Sequence, residues 1–441
     1  MVDSARHVVD EAPKKSTLVA VFITAFLDLV GFSIIFPLFP RMLEHYVAVE
    51  GPTSAVGQLA TSLSSISGGD SEFAVVVLFG GVLGSLYSVL QFVFAPLWGV
   101  ISDRTGRRPT LLITLSGTIV SYVLWFFAGS FALLIGARLL GGIMAGNIST
   151  ASAVIADTTK ASERSKGMAI IGIAVGIGFI FGPAIGGAAS LIDLTTLLPG
   201  SEAWGVNPFS AAAGAALALS VLNLVLVAVR LPETHPPERR GTTEQTRSAN
   251  PLVLFRSVGT PGVQRTNLVS FCYLTAFSAV EFTLVFLVVE RFAFTPMNNA
   301  MMFVFVGLVI AVVQGGAVRR LAPRHGDRPL VIGGLAALLP AFLLIGWSTS
   351  TTMLFAGLAL MATGSAFATP CLGALVSRYA PTDKQGLALG LFRSMGALSR
   401  ALGPMIGGVL YWKLGAHSPY AAGSLLVLLP FGLSLGLPPP P

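Results

Sequence analysis

Five charged side chains stand inside long apolar runs of this chain: Asp28, Arg138, Glu281, Arg393 and Arg400. A charge in hydrocarbon costs several kcal/mol unless it is paired or hydrated, so each marks function by default. Asp28 falls about 11 residues, or roughly 16 Å, into its run. A carboxyl at that depth suits a group that loads and releases protons, because burial favours the neutral form. Arg138 stands at a similar depth, so a structural ion pair is the competing account of Asp28; a proton would break that pair. Glu281 is the corresponding carboxyl of the second half. It enters its run by about 15 residues and Arg400 by about 13, so their depths differ by roughly 3 Å. Either the two pair, or Glu281 meets a ligand alone. An anion competing for Arg400 would free Glu281 to take a proton. Gln91, Asn147 and Gln314 are polar candidates for a cavity or for interhelical bonds. Tyr273 and Phe277, with Phe32, Phe36, Tyr122 and Trp125, are candidates to stack an aromatic ligand, or else core and lipid-facing rings.

The elements that must position these groups are membrane helices. Of the 441 residues, 54% are hydrophobic and 11% charged, against about 25% charged in an ordinary soluble domain; the mean hydropathy is +0.79. A spanning helix needs about 20 mostly apolar residues. Twelve runs qualify: 17–40, 74–99, 110–129, 131–156, 167–191, 208–230, 266–290, 299–318, 329–347, 352–376, 387–411 and 421–437. The first is too long for a signal-peptide core and reads as a retained helix. The spacing predicts an all-α membrane protein of twelve transmembrane helices.

Lys and Arg set the orientation. Links from odd to even spans hold only Arg41, Arg291 and Lys413, and Arg138, Arg393 and Arg400 lie within spans. The other 21 of the 27 basic residues occupy the N-terminal tail and the even-to-odd links. Both termini are therefore expected in the cytoplasm. The Ser- and Gly-rich link over 44–72 would face the opposite side as a mobile loop. The longest link, 232–262, holds Pro232, Pro236, Pro237, Arg239, Arg240, Gly241 and Thr242. Such a composition joins two units, dividing the chain into bundles at 1–231 and 263–441. The units repeat: Gly182-Pro183-Ala184-Ile185-Gly186-Gly187 recurs as Gly403-Pro404-Met405-Ile406-Gly407-Gly408, and Gly106-Arg107-Arg108-Pro109 is echoed by Gly326-Asp327-Arg328-Pro329. Both echoes lie about 220 residues away, and parallel repeats of this kind are a transporter architecture.

The link after span two reads Gly99-Val100-Ile101-Ser102-Asp103-Arg104-Thr105-Gly106-Arg107-Arg108-Pro109. Asp103 stands where a carboxylate caps the positive end of a neighbouring helix, and Arg107 is in reach of Asp157 at the end of span four. A purely topogenic role is the plainer account, but Asp103 and the two glycines have no topogenic purpose. This link resembles the signature loop of the major facilitator superfamily. Asp28-Leu29-Val30-Gly31 with Pro37 and Pro40, Arg138 with Gly142, and Gly178 with the Gly182–Gly187 run resemble further motifs of its drug:proton antiporters. Phe79-Gly80-Gly81, Tyr87 to Phe92, Lys166 to Ala169 and Glu281 to Leu284 look most like the tetracycline-transporter-like branch. The resemblance implies two six-helix bundles and a cavity lined by spans one, four, seven and ten. It implies loop contacts that close the cytoplasmic side and break on opening, and an antiport motif in span five.

The Gly-Pro runs also remove bulk and a backbone donor, so spans five and eleven can bend and approach their neighbours closely. The chain has no Gly-x-x-x-x-Gly-Lys-Ser/Thr loop for ATP. Its five histidines, His7, His45, His235, His325 and His417, lie in tails or links, which leaves no intramembrane metal cluster. Asn147-Ile148-Ser149 matches a glycosylation triplet but falls within a span. No basic stripe with interleaved aromatics points to nucleic acid. The expectation is a monomeric secondary transporter without cofactor, working in a lipid bilayer by alternating access and exporting amphipathic organic solutes such as drugs or organic anions in exchange for protons. An uptake carrier or a non-transporting sensor would share the fold.

Overall fold

The computed structural model describes residues 15–66, 72–159, 164–237, 260–381 and 385–439. All regular structure among them is helical. Span one is Lys15–Ser33 with a 3-10 turn at Phe36–Leu38, and span two is Glu72–Thr105. Spans three to six are Arg107–Phe126, the broken pair Phe131–Met144 and Asn147–Thr158, Arg164–Ala189, and Ser210–Arg230. Spans seven to nine are Pro261–Phe292, Pro296–His325 with a π-helical turn at Val313–Val318, and Asp327–Gly346. Spans ten to twelve are Thr351–Tyr379, Gln385–Leu414 and Ser418–Leu435.

Ten segments are long and apolar enough to cross a membrane, and the pair Phe79–Ala95 and Leu97–Thr105, bent by 41°, makes an eleventh. The bend falls at Pro96, which has no N–H to continue the helical ladder. Gln385–Leu414 is the twelfth; it carries Arg393, Arg400 and Lys413 and lies along spans two and seven.

The packing repeats with a shift of six spans. Span one packs on five and six, and span seven on eleven and twelve; three packs on four and six, and nine on ten and twelve. Across the seam, span two meets eleven and span five meets eight. Those two contacts are each other's images under the same shift, so two parallel bundles face each other about an axis along the membrane normal.

The glycine runs set these distances. A Cβ on Gly178 would lie 2.6 Å from Leu29 Cβ, and one on Gly182 would overlap Val30 and Ser33 of span one. Gly403 and Gly407 meet Ser278 and Ala279 of span seven in the same way. Spans five and eleven continue as single helices through Pro183 and Pro404.

The middle of the 232–262 link, residues 238–259, lies outside the described residues. The link over 44–72 differs from the expected loop, because it contains the helices Phe39–Glu50 and Ala55–Ile66. Gly51 at φ 81° ends the first, and Ser54 caps the second by accepting from the Gly57 N–H at 3.1 Å. Tyr46 donates to the Ala128 carbonyl at 2.7 Å and Glu50 accepts from the Phe131 N–H at 2.5 Å. These bonds hold the cap onto the link between spans three and four.

Candidate functional site

The Gly99–Pro109 link defines one face of the molecule, here the loop face. Gly106 starts span three at φ 107°, and Gly326 starts span nine at φ 83°. Only glycine takes that conformation without strain, which accounts for the glycine in both echoes. Arg107 is 4% exposed and joins two carboxylates, Asp103 at 2.5 Å and Asp157 at 2.8 Å, and also donates to Ser102 at 2.7 Å. Arg108 donates to the Ala228 carbonyl at the end of span six at 2.6 Å. Glu233, which the sequence pattern did not single out, accepts from the backbone N–H groups of Arg107 and Arg108 at 3.0 and 3.2 Å. A carboxylate on a helix N-terminus is a favourable cap. Spans two, three, four and six are thus tied together at one corner. Arg104 is exposed, and Gly99 faces Ser149 of span four, whose Oγ a Cβ would meet at 3.4 Å.

The second half ties the same corner with inverted charge. Asp327 stands where Arg107 stands and pairs with Arg378 of span ten at 3.3 Å. Arg328 donates to the Leu435 carbonyl at the end of span twelve at 2.5 Å, as Arg108 does to span six.

Deeper in the first half, Asp28 is held by Asn147, whose Nδ2 donates to Oδ1 at 2.7 Å. The Asn147 Oδ1 accepts from the Thr114 hydroxyl at 2.5 Å. The sequence suggested Arg138 as the partner of Asp28, but no ion pair joins them among the described residues. The Arg138 guanidinium instead lies 4.8 Å from the Tyr87 ring centre and 5.8 Å from that of Phe32, a cation–π arrangement. Its Nε and Nη2 have no hydrogen-bond partner among the described residues. Tyr87 and Tyr122 stand within electrostatic reach of both Asp28 and Arg138. Equal depth did not produce a pair because the rings of Phe32 on span one and Tyr87 on span two occupy the space beside Arg138.

Between the halves lies a narrow cavity of about 50 Å³. Phenylalanines dominate its wall: Phe32, Phe36 and Phe39 from the first half, Phe282, Phe286 and Phe303 from the second. Ser88 and Ser278 add hydroxyls. Glu281 and Arg400 bring the two charges, both from the second half. They do not touch as an ion pair, but each acts electrostatically on the other across the space.

Gln91, Asn147, Gln314, Tyr273 and Phe277 do not line this cavity. Asn147 is committed to Asp28 and Thr114. Tyr273 bonds Ser365 and Thr369 of span ten at 2.8 and 2.9 Å, and Phe277 packs on its ring with centroids 5.8 Å apart. A polar group in an apolar helix is satisfied as well by a neighbouring helix as by a cavity. Gln314 sits in the π turn of span eight and Gln91 on span two, both partly buried. The phenylalanines of spans seven and eight escaped the sequence reading because nothing in their spacing separates cavity wall from core.

At the face opposite the loop, here the far face, glycines admit close contacts between the halves. A Cβ on Gly80 would lie 2.7 Å from the Phe286 ring, and one on Gly81 3.4 Å from the Pro404 carbonyl. A Cβ on Gly187 would lie 2.4 Å from Ala300 Cβ and 2.6 Å from the Pro296 carbonyl.

Two parallel six-helix repeats enclosing an aromatic cavity with an acid and a base make a membrane transporter. The chain belongs to the Major Facilitator Superfamily, whose family model matches residues 21–327 and 315–441. It is 36% identical over 452 residues to major facilitator superfamily domain-containing protein 10 of Homo sapiens, covering 96% of this chain and 93% of that protein. It is 30% identical over 403 residues to the class B tetracycline resistance protein of Escherichia coli, covering 90% and 88% of the two. The crystal structure of the human organic anion transporter MFSD10 (TETRAN) superposes with a TM-score of 0.78 at 36% identity, covering 96% of this chain and all of that one.

Proposed function

We propose that this protein is a secondary transporter that moves amphipathic organic anions by alternating access, exporting them from the cytoplasm in exchange for protons. The observation that carries the reading is the cavity: six phenylalanine rings with Arg400 and Glu281 at one wall. The cavity is narrow in this arrangement, and its lining, once the halves move apart, suits a flat apolar body bearing one negative group, which a guanidinium holds well. The human relative described as an organic anion transporter supports the same class. Asp28, outside this cavity, is the proton carrier of the first half, and Glu281 is the coupling carboxyl of the second. The Asp103–Arg107–Asp157 cluster is the gate that closes the loop face, and that face, with both termini, is cytoplasmic. The working unit is a monomer, divided into bundles at 1–231 and 263–441 with a linker over 232–262.

The placement of Glu281 and Arg400 on one cavity wall also favours a second reading, proton-coupled uptake. An anion that takes Arg400 leaves Glu281 to bind a proton, so anion and proton bind that site together, and reciprocal linkage makes each favour the other. Purified protein in liposomes, with imposed pH gradients of either sign and a panel of labelled aromatic anions and cationic drugs, separates the two. Antiport predicts anion accumulation on the acidic side; co-transport predicts accumulation on the alkaline side. No gradient-driven accumulation of any compound would overturn proton coupling.

A further inference from the structure

Span four is not one helix. It ends at Met144 and restarts at Asn147, through Ala145 at φ −72°, ψ 44° and Gly146 at φ −89°, ψ −4°. In an unbroken helix the Ile143 carbonyl would accept from the Asn147 N–H. Here the Trp98 indole N–H of span two donates to that carbonyl at 2.6 Å. Gly146 makes room for the ring, since a Cβ there would stand 2.5 Å from Trp98 Cβ. The break is therefore a built feature, and it sets the Asn147 side chain, 1% exposed, between span one and span three.

Asn147 has an acceptor at one end of its amide and donors at the other. An ionised Asp28 accepts only, so it takes the NH₂ end, and the Oδ1 end turns to the Thr114 hydroxyl; both bonds are present. A protonated Asp28 is a donor. It is satisfied if the amide turns over, with Oδ1 toward Asp28 and NH₂ toward Thr114. The Thr114 oxygen can then accept, because its own O–H has two backbone acceptors in reach, Thr110 at 2.9 Å and Leu111 at 3.2 Å. Asp28, Asn147 and Thr114 each keep a hydrogen-bond partner in either arrangement, which matters because an orphaned polar group is costly in this setting.

We propose that Asn147 is a positioning residue for the proton-carrying carboxyl, and that its amide reverses against Thr114 each time Asp28 gains or loses its proton. This rests on the reading of Asp28 as a proton carrier. Asp28 is faced by Asn147 from span four, Tyr87 from span two and Tyr122 from span three, and the charged group nearby is Arg138. Of these, Asn147 alone offers both a donor and an acceptor whose exchange is balanced by a second partner.

The test needs no substrate. Infrared difference spectra of the purified protein in lipid are recorded through a pH titration, with Asp28→Asn assigning the carboxyl band and Asn147→Leu the side-chain amide bands. The amide bands are expected to shift in the same pH step as the carboxyl band. Thr114→Val should abolish the amide shift and Thr114→Ser should restore it. A carboxyl band that titrates while the amide bands stay fixed would overturn the reversal of Asn147. The absence of any Asp28 carboxyl band would overturn the proton-carrier reading beneath it. Transport gives a second readout for the Thr114 variants. Thr114→Val should lose up to about tenfold in gradient-driven flux relative to substrate exchange, the upper end for one hydrogen bond between neutral groups. A merely structural role would lower both fluxes alike.

Discussion

At the residue scale the molecule separates two carboxyls by their company. Asp28 is bonded to an amide and stands apart from the cavity wall, whereas Glu281 looks into the cavity toward Arg400. Asp28→Asn keeps the shape and removes the titration. The expected outcome is loss of uphill transport with substrate exchange at equal pH retained, measured as the ratio of the two fluxes in proteoliposomes. Equal accumulation by Asp28→Asn and wild type would end its role in coupling. The importance of these groups was legible in the sequence, because a charge in an apolar run stands out. Their partners were not. Depth along a helix comes from counting, but azimuth comes from packing, so Arg138 was matched to Asp28 by depth and turned out to lie on Tyr87. Asn147 was visible only as a polar residue in a span. Its partnership with Thr114 depends on a break that Gly146 permits and Trp98 stabilises.

At the element scale the two loop-face corners are the same construction with opposite polarity. Arg107 and Asp157 hold spans three and four; Asp327 and Arg378 hold spans nine and ten. The repeat of the glycine and the flanking residues was readable, and so was the Arg107–Asp157 contact. The charge inversion was not, because Arg378 lies far from the echo in sequence. The inversion makes a strong expectation. Arg107→Asp alone should cost about 3–5 kcal/mol, since it leaves buried acid facing acid. Adding Asp157→Arg recreates the second-half pair, yet the carboxylate introduced at position 107 would still face Asp103, which bonds Arg107 in the native chain. The position of the second half that corresponds to Asp103 is Pro323. Recovery of stability should therefore be partial in the double swap and greater when Asp103→Asn is added, as read by thermal melting in detergent. Full recovery in the double swap would mean that Asp103 has no hold on this position.

At the scale of the whole molecule, the number of spans and the division into two similar bundles followed from hydropathy and internal echoes, because the bilayer leaves few alternatives. How the bundles touch did not follow, since glycines at a helix surface do not say which neighbour approaches. The described seam contacts that fit most tightly cluster at the far face, where Gly80, Gly81 and Gly187 admit Phe286, Pro404, Pro296 and Ala300. Among the described residues these approaches are a matter of volume, with no hydrogen bond or ion pair across them. A side chain at 187 should therefore bias the cycle rather than unfold a bundle. Gly187→Val cannot be seated in this arrangement, as its Cβ would lie 2.4 Å from that of Ala300, and separating the bundles at the far face relieves the clash. The variant should populate a state open at that face, because closed packings resist continuous deformation and switch instead. A cysteine at Ser88 on the cavity wall reports it. An impermeant thiol reagent applied from the far-face side of the membrane should label Ser88→Cys faster in the Gly187→Val background than without it, and transport should slow. Ala300→Gly in the same chain restores part of the missing volume and should return labelling and turnover toward the parent. Labelling unchanged by Gly187→Val, with transport intact, would show that this seam does not close the cycle.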